Sequence, residues 1–551
     1  MHEEDSQHPL AEKQVICPHC WHRFYTDQAK YISRHRELSD DTILGGGHQR
    51  RLAPDEVTRD HEGNVLDPKG WKVCEQACPQ CHLQIPNDLL QRRPLFISVV
   101  GAPRSGKTYL LTSIIHCLRK ELPRHFGYVL EDSDSHEVNA FLKYERDLFA
   151  PSDPSKLTQL KKTWEAGALY NTVTIDGLAV QLPKPFIFTL RSTESNPDAA
   201  KHRTVLRRNL VLYDNAGESF DFLKEQDARN RVTQHLTCCD AVLFVYDPLQ
   251  DPDLRTRLAG TTSEPDPQLT KAATTNRQEL LLSEVVNRIR RHRNVPGDKK
   301  IKAILAVAVQ KYDVWKGLMP HVQKQDAACG HAEIIDHTSV EMRPDLGIHA
   351  LDYQEVNAVS LLTRAFIHDQ CPQFVASAEA SFETVRYFPV SALGTSPEYK
   401  EDAQAAAQSD MLWVRPVNLQ PFRVTHPVLW FLQRWRFIHR FHKPVAQNQN
   451  DPVATIEPMG ENRIRVTSPL SKMMFVLDHE YAGTRVFDPI TGDPFVIPRT
   501  LPVASGHGAA PQTQPAETPP LPQEAVPPQD TTGDLRLKIT KPAKRGWFRR
   551  N

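Results

Sequence analysis

Apolar positions along the chain follow two different periods. Short unbroken apolar runs occur at residues 95–100 (LFISVV), 185–190 (PFIFTL), 209–213 (NLVLY), 241–246 (AVLFVY), 301–309 (IKAILAVAV) and 386–390 (RYFPV). Bounded by turn residues, they predict buried strands. Between them lie helical stripes: Leu110, Leu111, Ile114, Ile115 and Leu118 in 109–119, stopped by Leu122-Pro123, and Leu280, Leu281, Val285 and Ile289 in 277–293. The closing run of the second, Arg288, Arg290, Arg291 and Arg293, reads as a solvated helix terminus rather than a binding patch. A long helical insertion is expected over 320–382, and a closing helix over 426–438 carries Pro427 in its first turn. Residues 122–171 are polar and mixed. Strands alternating with helices predict an α/β fold, a doubly wound and mostly parallel sheet that binds its ligand at the strands' carboxyl ends.

Past residue 445 the pattern changes. Ile464, Val466 and the runs 474–477 and 494–497 suggest a small β-rich extension over 445–500. Residues 501–551 form a Pro-rich linker and basic tail predicted to be disordered. Basic residues beside Trp547 and Phe548 read as a solvated tail, with contact to a nucleic acid or an anionic membrane as the alternative.

Charge and composition narrow the function. Among 551 residues, 67 Lys and Arg balance 67 Asp and Glu, so nothing global points to nucleic acid. The beginning MHEEDSQHPL has no apolar core of the secretory kind, and no apolar run approaches a membrane span, so a cytoplasmic protein is expected. Ten cysteines are too sparse for a disulfide scaffold, and half precede Gln84, which points to metal.

Cys17-Pro18-His19-Cys20 and Cys78-Pro79-Gln80-Cys81 are two copies of C-P-x-C. Each is a tight turn that aims two sulfurs at one ion, and together they suit structural Zn²⁺. About sixty residues separate them, so a zinc ribbon over 15–90 must carry a long looped insertion, turn-rich and irregular around 44–48 and 64–70. Cys74, His19 and His82 stand close enough in sequence to replace a sulfur.

The strongest chemical signal follows the run at 95–100. Gly101, Gly106, Lys107 and Thr108 fill G-x-x-x-x-G-K-[ST], with Arg104 and Ser105 inside the loop. The glycines let successive N–H groups face one anion, and the following helix adds its positive end. Lys107 would reach the β- and γ-phosphates of a nucleotide, and the Thr108 hydroxyl would sit on Mg²⁺. At the end of the run 209–213, Asp214-Asn215-Ala216-Gly217-Glu218 supplies D-x-x-G: the acid can hold Mg²⁺ through water, and the glycine N–H can sense the γ-phosphate. The next runs deliver Gln310-Lys311-Tyr312-Asp313 and Ser391-Ala392-Leu393.

In this order, each after an apolar strand, these motifs resemble those of the translation-factor-like P-loop GTPases. With a split zinc ribbon in front, the chain looks like the bacterial double-GTPase family of conflict and defence loci. The resemblance covers about residues 15–442, with a P-loop NTPase domain over 91–444. It implies a GTP-hydrolysing switch with GTP or GDP, Mg²⁺ and Zn²⁺ as cofactors and a second GTPase as partner. Lys107 and Thr108 then carry phosphate and Mg²⁺, and Asp214 and Gly217 form the second switch. Gln310, Lys311 and Asp313 read the base, and the Ser391-Ala392-Leu393 loop offers a backbone N–H to guanine O6.

Two departures are visible. Gln310 stands where Asn or Thr is usual, and Glu218 stands where a water-orienting Gln is often found. Thr172 and Thr174 are the candidates for the first switch. The rival readings are an ATP-binding protein that shares only the phosphate loop, and a nucleotide-dependent scaffold without turnover.

Overall fold

Seven strands form the central sheet of the computed structural model: β1 (Leu95–Gly101), β2 (Tyr128–Asp132), β3 (Phe186–Ser192), β4 (Arg207–Asp214), β5 (Ala241–Tyr246), β6 (Ile304–Val309) and β7 (Val385–Pro389). Their order is β2-β3-β4-β1-β5-β6-β7. Strand β1 runs parallel to both β4 and β5, and β6 and β7 continue parallel, whereas β3 and β2 are antiparallel. The structure describes residues 14–133, 136–160, 170–175, 177–202, 206–214, 234–259, 269, 277–319, 340–343, 345–398, 412–441, 451–459, 463–488 and 494–499. The linker and tail at 501–551 lie outside them.

All six expected strands form, and β2 comes from the stretch read as polar. Only Tyr128 and Leu130 of β2 are buried, too few to stand out in a polar neighbourhood. The inner strands are buried on both faces, which is why they read as continuous apolar runs. Leu243, Val245, Ala306 and Ala308 face a core shared with the helix α1 (Lys107–Glu121). Val242, Phe244, Leu305 and Val307 face one shared with α2 (Gln278–Arg293) and the helices Tyr353–Gln370 and Pro372–Ser381.

Several details differ from the sequence reading. Pro123 does not stop α1, which continues through a wider turn, Leu122–Phe126, to Gly127 at φ +64°. Leu280 is on the exposed side of α2, and the inward stripe is Leu281, Leu282, Val285, Val286 and Ile289. Arg288, expected in a solvated helix end, is buried and paired at 2.6 Å with Glu284 one turn earlier. The described part of the expected helical insertion contains a β-hairpin, Val340–Arg343 and Ile348–Asp352, before its helices; residues 320–339 lie outside the described set.

The segment between the two C-P-x-C turns is not irregular. Gly45–Gln49 pairs with Ser39–Asp41, and Lys30–Ile32 pairs with both Arg51–Leu52 and Gln76–Ala77. These ladders rest on backbone hydrogen bonds and turns, so a glycine run can join one without any apolar signature. Past residue 445, three antiparallel strands (Thr455–Pro458, Arg463–Thr467, Met474–Asp478) and the pair Arg485–Phe487 with Pro494–Val496 form. Among the described residues no helix is long and apolar enough to cross a membrane.

Candidate functional site

The two C-P-x-C turns each sit at the tip of a small hairpin, Gln14–Ile16 with Arg23–Tyr25 and Gln76–Ala77 with Gln84–Ile85. They are copies of one another in detail. In each, the residue after the second cysteine has a left-handed backbone, Trp21 and His82 both at φ +60°, and donates its N–H to the first cysteine's carbonyl. The sulfurs of Cys17, Cys20, Cys78 and Cys81 lie within 4.8 Å of one another and are buried. Cys17 and Cys81 are 3.7 Å apart, Cys20 and Cys78 3.6 Å. A tetrahedron with Zn–S bonds of about 2.3 Å has sulfurs about 3.8 Å apart, so the four cysteines fit a metal ion such as zinc.

The substitutes considered for a sulfur are engaged elsewhere. Cys74 is exposed, with Arg34 3.7 Å from its sulfur. His19 meets the Gln84 carbonyl at 2.9 Å, and His82 meets the Asp41 carboxylate at 2.8 Å. Burial pushes the Cys17 thiol up, while hydrogen bonds from Cys17, Cys20 and Cys81 hold Cys78 far below the usual thiol range. A thiolate favoured in a buried place is what a cation would neutralise.

At the other candidate centre, strand register does the positioning. Gly101 lies opposite Val245, Tyr246 opposite Val309, and Val309 opposite Pro389, so the loops leaving β1, β5, β6 and β7 emerge at one edge. In the first loop Arg104 is exposed at φ +63° and Gly106 adopts φ +82°. A Cβ on Gly101 would come within 2.6 Å of the Val245 carbonyl oxygen, so only glycine lets β1 and β5 approach this closely here. Lys107 is buried, and its Nζ donates to the carbonyls of Gly101 and Ala102 at 2.9 and 2.8 Å. The Thr108 hydroxyl donates to Asp214 Oδ2 at 2.8 Å, bringing the first and second motifs together. Burial pushes the Asp214 carboxyl up, opposed by the Lys107 ammonium and the Thr108 hydroxyl.

The third and fourth motifs meet beside them. Gln310 Oε1 accepts from the Ala392 N–H at 3.3 Å, and Ser113 of α1 donates to the Ala392 carbonyl at 2.8 Å. The longer amide of Gln310 thus reaches across to the N–H that the resemblance assigns to guanine O6. Ser391 is buried and accepts from the Gly394 N–H, and Leu393 packs beside Tyr144, Leu148 and Val414. Lys311, at φ +60°, puts its Nζ 2.8 Å from Asp247 Oδ2, and Asp313 follows in the short helix Tyr312–Trp315, partly exposed. Asp247 and Gln250 stand at the same sheet edge, and the motif search missed them. Gln250 donates to the Pro103 carbonyl at 2.8 Å and to Asp247, linking the first loop to Lys311. Their only signal was an acid directly after a buried strand.

Gly217 and Glu218 lie outside the described residues. Thr172 and Thr174 belong to the hairpin Tyr170–Ile175 with Leu178–Pro183, whose Val173, Val180 and Leu182 pack on the cysteine-rich hairpins. Three buried polar atoms at the edge lack hydrogen-bond partners: Ser105 Oγ, Asp214 Oδ1 and Gln310 Nε2. Such atoms take a water, an ion or a ligand, so the residues present are compatible with a phosphate-bearing group and its cation.

No protein-family model matches the chain. A sequence relative, an ESX-1 scaffolding and assembly protein, SaeC, from Mycolicibacterium smegmatis, is 25% identical over 369 residues, covering 64% of this chain and 78% of that one. Among solved structures, a signal recognition particle receptor SRb-GTP/SRX complex from Chaetomium thermophilum is 13% identical with a TM-score of 0.22, covering 56% of this chain and 94% of that one.

Proposed function

We propose that the edge formed by the loops after β1, β4, β6 and β7 binds a guanine nucleotide with Mg²⁺, making the chain a P-loop switch that organises protein partners. The observation that carries this reading is that Thr108 meets Asp214, Ala392 meets Ser113 and Gln310, and Lys311 meets Asp247, at 2.8–3.3 Å, on the sheet edge where Lys107 follows β1. In it, Lys107 and the N–H groups around Gly106 hold phosphate oxygens, Thr108 and Asp214 hold the cation, and Asp313 accepts hydrogen bonds from the base. Mg²⁺, when bound, neutralises charge on the phosphate groups. Lys107 and Glu218 are the residues assigned to hydrolysis, the first for charge and the second for placing water. The name of the mycobacterial relative supports a scaffold-type role, and a second GTPase as partner is what the resemblance implies.

Titration of the purified chain with fluorescent guanine and adenine nucleotides, with and without Mg²⁺, tests the reading. Guanine preference that shifts towards xanthosine nucleotides in Asp313→Asn supports it. Equal affinity for both bases, unchanged by that substitution, favours the ATP-binding alternative. A scaffold without turnover predicts guanine binding with phosphate release at background, whichever partner is added.

A further inference from the structure

A cavity of about 980 Å³ opens at the opposite, amino-terminal edge of the sheet, between the first cysteine hairpin, the starts of β1, β5 and β6, and the end of α2. We propose that it binds a small anion carrying two or more phosphates. Five cations line it, Arg23, Arg92, Arg93, Arg293 and Lys302, against one carboxylate, Asp240. That carboxylate is already committed, accepting from Arg93 at 2.6 Å and from the Phe96 N–H at 3.0 Å.

Structural duties account for part of the set. Arg92 donates to the Arg207 carbonyl at 3.2 Å, and Arg293 reaches the Cys239 carbonyl while complementing the negative end of α2. They do not account for the exposed side chains of Arg23 and Lys302, which make no side-chain hydrogen bond or ion pair among the described residues and come from different elements. Two further nitrogens at the wall, Arg293 Nε and His292 Nε2, are buried without hydrogen-bond partners. Like charges gathered around a concave wall repel one another, and the potential focused there attracts an anion. Guanidinium forks match phosphate oxygens in pairs, and the volume lies at the upper end of the range for small-molecule sites, about 300–1,000 Å³.

Calorimetric titration of the zinc-loaded full chain with inorganic pyrophosphate tests this, using Lys107→Ala to remove the lysine of the opposite edge. The expected result is that Lys107→Ala still binds pyrophosphate, and that adding Arg23→Gln and Lys302→Gln weakens binding at least tenfold while the thermal melt stays unchanged. Should the triple variant lose its fold, Arg23→Gln and Lys302→Gln singly in the Lys107→Ala background are each expected to weaken binding about threefold. Absence of binding to Lys107→Ala, or affinity indifferent to both substitutions, overturns the proposal. So does a single-stranded oligonucleotide or an acidic peptide that binds through Arg23 and Lys302 while pyrophosphate does not.

Discussion

Trp21, in the first cysteine turn, donates its indole N–H to the Tyr213 hydroxyl at 3.0 Å, and Tyr213 directly precedes Asp214, the acid that holds Thr108. The same hydroxyl donates to the Pro18 carbonyl at 2.5 Å, so one phenol joins the cysteine-rich hairpins to the edge that carries the nucleotide motifs. Both aromatic rings also lie against His235, at centroid distances of 6.1 and 4.8 Å. Replacing Tyr213 by Phe strands the Trp21 N–H and the Pro18 carbonyl, at an expected cost of about 1–3 kcal/mol. A double-mutant cycle with Trp21→Phe, read by urea unfolding, should give a coupling of about 1 kcal/mol, and Mg²⁺-dependent nucleotide affinity should fall in step.

Metal content tests the four-sulfur assignment directly. The wild-type chain is expected to carry zinc by elemental analysis, and Cys78→Ser to lose it, whereas Cys74→Ser should keep it because that side chain is exposed and outside the cluster.

Gly101→Ala should abolish nucleotide binding before it abolishes the fold. Its Cβ would press on the Val245 carbonyl at 2.6 Å and on Ser105 Oγ at 3.0 Å, forcing the loop outward. Unfolding experiments should show a loss of about 1–3 kcal/mol, with nucleotide titration reduced to background.

Lys311→Met should be more destabilising than a surface substitution. It leaves the Asp247 side chain, 1% exposed, without the ammonium that lies 2.8 Å away. Removing one partner of a buried ion pair costs about 3–5 kcal/mol, and the hydrogen bonds that Asp247 keeps from the Leu249 N–H and Gln250 hold the expected loss to the lower end of that range. Lys311→Met with Asp247→Asn should recover much of the loss in a thermal melt.

Acid should weaken the fold through His235. Burial, then Arg288 and His292, holds this imidazole down to about 3, while Ser98 Oγ lies 2.8 Å from its Nδ1. Its unfolded value is about 6.5, so the unfolded chain takes up the proton first as pH falls. The contribution is therefore complete above about pH 6.5 and is lost as pH falls towards 3, by about 1.4 kcal/mol per unit. Between pH 7 and pH 5, wild type should lose about 2 kcal/mol more than His235→Phe, by urea unfolding at the two pH values.

Legibility in the sequence followed burial. Strands such as β1 and β6, covered on both faces, announced themselves as apolar runs, and the loops after them carried their motifs. The strands Ser39–Asp41 and Gly45–Gln49 did not, because backbone pairing needs no particular side chain. Arg288 looked solvated because its partner Glu284 is a property of the helix face, not of the arginine run. Asp247 and Gln250 belong to no short motif, since their roles depend on which strands lie next to each other.

Residue types and spacing alone determined where glycine had to be, which cysteines could share an ion, and which segments had to be covered on both sides. Tertiary structure alone decided which distant segments meet. It placed Gln310 against Ala392, Trp21 against Tyr213, and five cations around one cavity. The reason is physical: local pattern encodes what each residue loses by facing water, whereas a hydrogen bond or a shared electric field depends on strand order and register, which pattern does not record.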